Sequence, residues 1–114
     1  MFVAETNDEI TGYIIWLQKS GFRPAAVLEL EQLAVSPNFQ GQGIGRKLIN
    51  ESLPLVKKQL LLHGSTVKHI WVTTRADNFA QALYKKTLGA EIETTIKNLY
   101  SADEVLMIAR NVSG

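Results

Sequence analysis

The sequence predicts one α/β domain on a mixed sheet. Three observations point there: a length suited to a single core, an order of three strands, helix, strand, helix and two strands, and a glycine-rich turn between the third strand and the first helix. A chain of 114 residues buries roughly two thirds of the surface its unfolded form exposes, so residues 1–114 are expected to form one domain. Hydrophobic residues make up 46% of the chain and charged residues 20%, far from the composition of a disordered segment.

Phe2 to Glu5 is short and apolar, Asn7-Asp8-Glu9 interrupts it, and a β-rich run follows from Ile10 to Gln18, which together read as an antiparallel hairpin. After Lys19-Ser20-Gly21 and the irregular Phe22-Arg23-Pro24, the stretch Ala26 to Val35 reads as a longer third strand that ends at Ser36-Pro37, with Glu29 and Glu31 on one face. From Ile44 to about Leu62 the apolar Ile49, Leu53, Val56 and Leu60 recur at steps of four, three and four, one face of a helix that Gly64 stops. Pro54 lies well inside, where it deletes a backbone hydrogen bond, and predicts a kink or a split. Val67 to Thr74 is the next strand. Asp77 or Asn78 then caps a short helix with Ala80, Leu83, Tyr84 and Leu88 on one side, closed by Gly89. Glu91 to Tyr100 and Glu104 to Asn111 complete the sheet as a hairpin about Ser101-Ala102-Asp103.

Twelve Lys and Arg against eleven Asp and Glu leave a net charge of +1, so no overall field favours a nucleic acid as partner. The absence of cysteine excludes a disulfide framework, a thiolate zinc site and a cysteine nucleophile. No apolar stretch approaches the roughly twenty residues of a membrane-spanning helix, and Met1 to Asp8 lacks the charged and then apolar build of a signal peptide. No membrane partner is expected, and the cytoplasm is the expected location.

Gln40-Gly41-Gln42-Gly43-Ile44-Gly45-Arg46-Lys47 stands between a strand end and a helix start. A helix N-terminus has unpaired N–H groups and the positive end of the macrodipole, and glycines let a bulky anion approach that backbone. Phosphate binding is one use of such a turn; a tight strand-to-helix connection is the other. The Rossmann pattern G-x-G-x-x-G fails, because the sixth position from Gly41 is Arg46, and Gly45-Arg46-Lys47 does not supply the G-K-[ST] of a P-loop.

Leu33-Ala34-Val35-Ser36-Pro37-Asn38-Phe39-Gln40-Gly41-Gln42-Gly43-Ile44-Gly45-Arg46-Lys47-Leu48 resembles the signature of the GCN5-related N-acetyltransferase (GNAT) superfamily. Its Q/R-x-x-G-x-G/A pattern is met by Gln40, Gly43 and Gly45, after a strand end of the hydrophobic-Ala-Val-x-Pro kind. The resemblance implies a GNAT-like fold with a mixed, mostly antiparallel sheet. It also implies acetyl-CoA as co-substrate, its pyrophosphate held by backbone N–H groups of Gln40, Gly41, Gln42, Gly43, Ile44, Gly45 and Arg46. The pantetheine arm would extend the sheet along Leu33, Ala34 and Val35, whose N–H groups would also meet the oxyanion. Arg46 and Lys47 either add charge near the phosphates or form a solvated helix face.

Asp77-Asn78-Phe79-Ala80-Gln81-Ala82-Leu83-Tyr84-Lys85-Lys86-Thr87-Leu88-Gly89-Ala90 resembles the family's N-x-x-A-x-x-L-Y-x-K-x-G-F stretch, with one residue extra between Tyr84 and Gly89 and Ala90 in place of the aromatic. Counting from Tyr84 puts Asp77 at the asparagine position and counting from Gly89 puts Asn78 there; Asn78 is the preferred amide for the pantetheine. Tyr84 matches the tyrosine that protonates the departing thiolate, a task suited to a hydroxyl with a pKa near 10. Its other reading is a core residue on the apolar side of a short helix.

Attack by an amine also needs a base, because an ammonium has no lone pair. Glu29, eleven residues before Gln40, comes nearest the family's spacing for a catalytic glutamate, with Glu31 or water as alternatives and an ordinary exposed strand face as the bland reading. His63 and His69 stand in no triad or ligand spacing, and no metal is implied. Members of the family begin with a strand and two helices before the hairpin, whereas Met1 opens almost directly onto it. The expectation is an N-terminally abbreviated member that borrows a wall of its amine-acceptor site from a partner in a homodimer, or a fragment. The expected activity is acetyl transfer to a primary amine of a small molecule or peptide; the alternative is a non-catalytic acyl-CoA-binding or interaction module.

Overall fold

Among the residues described by the computed structural model, which are all except 7, 20–23, 77–79, 100, 101, 111, 113 and 114, six strands form one sheet flanked by two helices. In chain order they are β1 (Phe2–Thr6), β2 (Glu9–Gln18), β3 (Ala25–Val35), α1 (Ile44–Leu62), β4 (Thr66–Arg75), α2 (Ala80–Leu88), β5 (Glu91–Ile96) and β6 (Glu104–Arg110), with a single 3₁₀ turn at Pro37–Phe39. The order across the sheet is β1-β2-β3-β4-β6-β5. Only β3 and β4, joined by the α1 crossover, are parallel, and the other four pairs are antiparallel. The predicted mixed, mostly antiparallel α/β architecture is the one observed.

The core lies between one sheet face and the helices. Ile14, Leu28, Leu30, Ile70, Val72 and Met107 are buried with Leu48 and Ile49 of α1 and Tyr84 of α2. The Trp16 indole donates to Ser52 Oγ at 2.8 Å, which fixes α1 against β2 while satisfying a half-buried N–H. Pro54 does not split α1, which runs on to Leu62. The carbonyl that loses its partner belongs to Asn50, and both Asn50 and Pro54 are exposed residues, on the solvent side of the helix.

Two expectations need correction. The strand predicted over Glu91–Tyr100 stops at Ile96, because Asn98 adopts a left-handed φ of 50° and its N–H donates to Asp103 Oδ1 at 3.0 Å. The β5–β6 connection is therefore a longer loop than Ser101-Ala102-Asp103; Tyr100 and Ser101 lie outside the described residues. The third strand, read with Glu29 and Glu31 on one face, carries an irregularity at the second of them. Its register with β2 slips between Ile15↔Gln32 and Trp16↔Leu30, leaving Glu31 as the extra residue of a β-bulge.

That bulge coincides with a parting of strands. β3 and β4 pair from Ala25↔Thr66 to Glu29↔Trp71 and no further, although they continue to Val35 and Arg75. β2 stays with β3 as far as Gly12↔Val35, and β6 stays with β4 as far as Arg75↔Glu104. A wedge therefore opens at the carboxyl ends of the parallel pair, the place where open α/β sheets receive ligands.

Candidate functional site

The loop before α1 is built to expose its backbone. Gly41 and Gly43 take left-handed φ values of 80° and 77°, a region costly to residues with a Cβ, and a Cβ on either would meet nothing within 4 Å. Gly43 is the N-cap of α1, with no side-chain cap and no acidic residue in the first turn. The first helical N–H groups thus keep their hydrogen-bonding capacity and the positive end of the dipole. Gln40 has a second role beside its backbone, since its side-chain amide donates to the Val35 carbonyl at 3.2 Å and ties the loop to the end of β3. Together with Leu33, Val35, Phe39, Ala80 and Leu83, this loop lines a cavity of about 600 Å³. Arg46 lines it too; Arg46 and Lys47 are exposed.

A second cavity of about 320 Å³ occupies the wedge, bounded by Tyr13, Glu31, Gln32, Leu33, Ala34, Thr73, Thr74, Arg75, Tyr84 and Glu104 among others. Leu33 lines both cavities, so the glycine loop and the wedge form neighbouring parts of one surface. The edge of Leu33, Ala34 and Val35 that faces β4 pairs with no described strand, which leaves main-chain donors and acceptors for an extended ligand.

Tyr84 stands where the wedge meets α2. It is 6% exposed, and burial pushes its phenol above the usual 10.0. No hydrogen bond from a described residue engages its hydroxyl. No buried side-chain oxygen among the described residues lacks a partner, so this hydroxyl reaches the wedge cavity that Tyr84 lines and is open to a ligand. Gly89, at a φ of 70°, ends α2 as predicted, its N–H donating to the Lys85 carbonyl at 3.1 Å.

The structure thus gathers Leu33, Ala34, Val35, the Gln40–Arg46 loop and Tyr84 around one surface. Glu29 is placed apart from it. It closes the β3–β4 ladder opposite Trp71, forms an ion pair with Lys19 at 3.7 Å and does not line the wedge cavity, whereas Glu31 does. Asn78 and Asp77 lie outside the described residues. Gln32, Thr73, Thr74, Arg75 and Glu104 were not singled out from the sequence, where they read as ordinary strand residues. Only the parting of β3 from β4 turns them toward a common cavity.

A model of the acetyltransferase (GNAT) family matches residues 1–90. An uncharacterized N-acetyltransferase of Methanocaldococcus jannaschii is 30% identical over 100 residues, covering 84% of this chain and 41% of that protein, so the chain spans less than half the length of that curated relative. Among solved structures, Arabidopsis thaliana Naa50 in complex with the bisubstrate analogue CoA-Ac-MVNAL is 25% identical with a TM-score of 0.74, over 93% of this chain and 69% of that one. The ribosomal-protein-S18-alanine N-acetyltransferase of Escherichia coli is 26% identical with a TM-score of 0.68, over 94% and 65%.

Proposed function

This chain belongs to the GNAT acetyltransferase family, and from that premise we propose that it transfers the acetyl group of acetyl-CoA to a primary amine by direct attack in a ternary complex. The observation that carries the reading is Tyr84, a buried phenol without a described partner, in a wedge that shares Leu33 with the anion-accepting loop. The loop residues Gln40–Arg46 hold the pyrophosphate through backbone N–H groups, and the free edge of β3 takes the pantetheine. Asn78 remains the preferred pantetheine amide.

In the transfer, the amine nitrogen bonds to the thioester carbonyl carbon and the carbon–sulfur bond breaks. Tyr84, a phenol protonated at neutral pH and pushed further above 10.0 by burial, gives its proton to the departing sulfur. The nitrogen sheds one proton before attack and another as the amide forms; the second replaces the one Tyr84 has given. Glu29, held by Lys19, takes the first through intervening water. A peptide α-amine is the first acceptor to test, because the Naa50 complex carries a CoA-acetyl-peptide analogue and the E. coli neighbour is named for an alanine of ribosomal protein S18.

The test is release of free CoA thiol from acetyl-CoA in the presence of the peptide Met-Val-Asn-Ala-Leu or a panel of primary amines, with binding followed by calorimetry. Amine-dependent release that falls about 100-fold in Tyr84→Phe, with acetyl-CoA affinity retained, supports the transfer. Tight acetyl-CoA binding with no amine acetylated replaces it with the non-catalytic acyl-CoA-binding module. A homodimer is our proposed assembly, supported by the apolar Leu55, Leu61 and Leu62 exposed on α1; a monomer mass in solution would sink it.

A further inference from the structure

Glu104 opens β6, at the end of its pairing with Arg75 of β4 and Ile96 of β5. It is 7% exposed and lines the wedge cavity together with Tyr84. Among the described residues no hydrogen bond or ion pair engages its carboxylate. No buried side-chain oxygen among the described residues is left without a partner, so this unpaired carboxylate meets the solvent of the cavity, hydration that a cation or several donors can replace. Two other glutamates on the sheet have found such replacements: Glu29 pairs with Lys19 at 3.7 Å and Glu93 with Arg110 at 2.9 Å. Glu104 has been left without one at the place where the proposed reaction brings an amine.

We propose that Glu104 is the residue that receives the ammonium group of the acceptor, and so selects cationic primary amines. The assignment rests on the acetyl-transfer reading above. The wedge reaches Tyr84 on one side and the free edge of Leu33 and Ala34 on the other, so an ammonium held at Glu104 lies in the same cavity as the groups that would meet the thioester. The other charged and titratable groups lining the cavity are Glu31 on β3, Arg75 on β4, Tyr13 on β2 and Tyr84 on α2. Of the two cavity-lining glutamates, Glu31 is exposed in the β3 bulge, and Glu104 is the less exposed residue. An acceptor cation gains most from the carboxylate that water serves least.

The test compares Glu104→Gln, which keeps the shape and removes the charge, with the unaltered chain. Losing one member of a buried charge pair corresponds to a loss of about 30-fold or more in affinity, so the acceptor KM should rise by at least that factor while the acetyl-CoA dissociation constant stays within about twofold. Glu104→Asp, which keeps the charge on a shorter stem, should recover part of the loss. An unchanged acceptor KM in Glu104→Gln overturns the assignment and leaves acetyl transfer standing. An unaltered chain that binds acetyl-CoA but acetylates no amine overturns the transfer reading itself, and the assignment with it.

Discussion

Glu29 of β3 and Trp71 of β4 are the last residues across which the two parallel strands pair. Everything proposed for the site follows from what happens beyond them. Past the bulge at Glu31, β3 stays paired with β2 to Val35, while β4 stays paired with β6 as far as Arg75. The sheet keeps its core face through this parting, because Leu30 before the bulge and Leu33 after it are matched to Trp16 and Ile14 of β2, which lie on the α1 side. The parting exposes backbone on β3 and creates the cavity that Tyr84 and Glu104 line.

The burial of Tyr84 has a consequence for stability at high pH. Its phenol titrates above 10.0 in the folded chain because desolvation disfavours the phenolate. From about pH 10 upward the unfolded chain therefore releases this proton more readily than the folded one. Stability associated with Tyr84 is complete below the unfolded pKa and is lost as pH rises toward and through the folded one. Urea unfolding at a series of pH values from about 9 to 11 should show a steeper alkaline decline in the parent than in Tyr84→Phe. Parallel declines would mean that the phenol is solvated.

Much of this fold is legible in the sequence, and the reason is local. The four-three-four spacing of Ile49, Leu53, Val56 and Leu60 and the stop at Gly64 define α1, whose observed span is Ile44–Leu62. Gly41, Gly43 and Gly45 locate the turn before α1 for the same reason, since left-handed backbone at Gly41 and Gly43 leaves few other residues able to serve. What could not be read was the choice among carboxylates. Counting back from Gln40 favours Glu29, but a bulge two residues later and an ion pair with Lys19 are tertiary events with no spacing signal. Glu104 is the converse case. It reads as the polar start of a strand, and only its register against Arg75 and Ile96 brings it to the wedge.

Gly43 should be replaceable in space but not in conformation. An added Cβ would meet nothing within 4 Å, whereas a φ of 77° costs an L-residue about 1–2 kcal/mol. Gly43→Ala is expected to lose that much stability by denaturant unfolding, and Gly43→Asn less, since asparagine tolerates left-handed backbone. The alanine variant should also bind acetyl-CoA more weakly, because relieving the strain rotates the first N–H groups of α1 away from the loop. Equal stability of Gly43→Ala and the parent would show that the loop does not hold a left-handed residue at the helix start.

Gly12 poses the opposite problem, one of space. It sits on β2 opposite Val35, and a Cβ there would lie 2.7 Å from the Ala34 carbonyl oxygen and 3.3 Å from both Ile44 Cγ2 and Leu48 Cδ1. The first contact is with backbone, so no side-chain rotation relieves it, and the end of β3 must move away from β2. Overpacking of this kind costs about 1–3 kcal/mol. The displaced segment is Leu33 to Val35, whose far edge borders the wedge and whose last carbonyl anchors Gln40. Gly12→Ala should therefore lower the melting temperature and weaken acetyl-CoA binding together, although Gly12 lines neither cavity. A variant that loses stability but binds acetyl-CoA as tightly as the parent would show that the end of β3 is not part of the binding surface, and the pantetheine would have to be placed elsewhere.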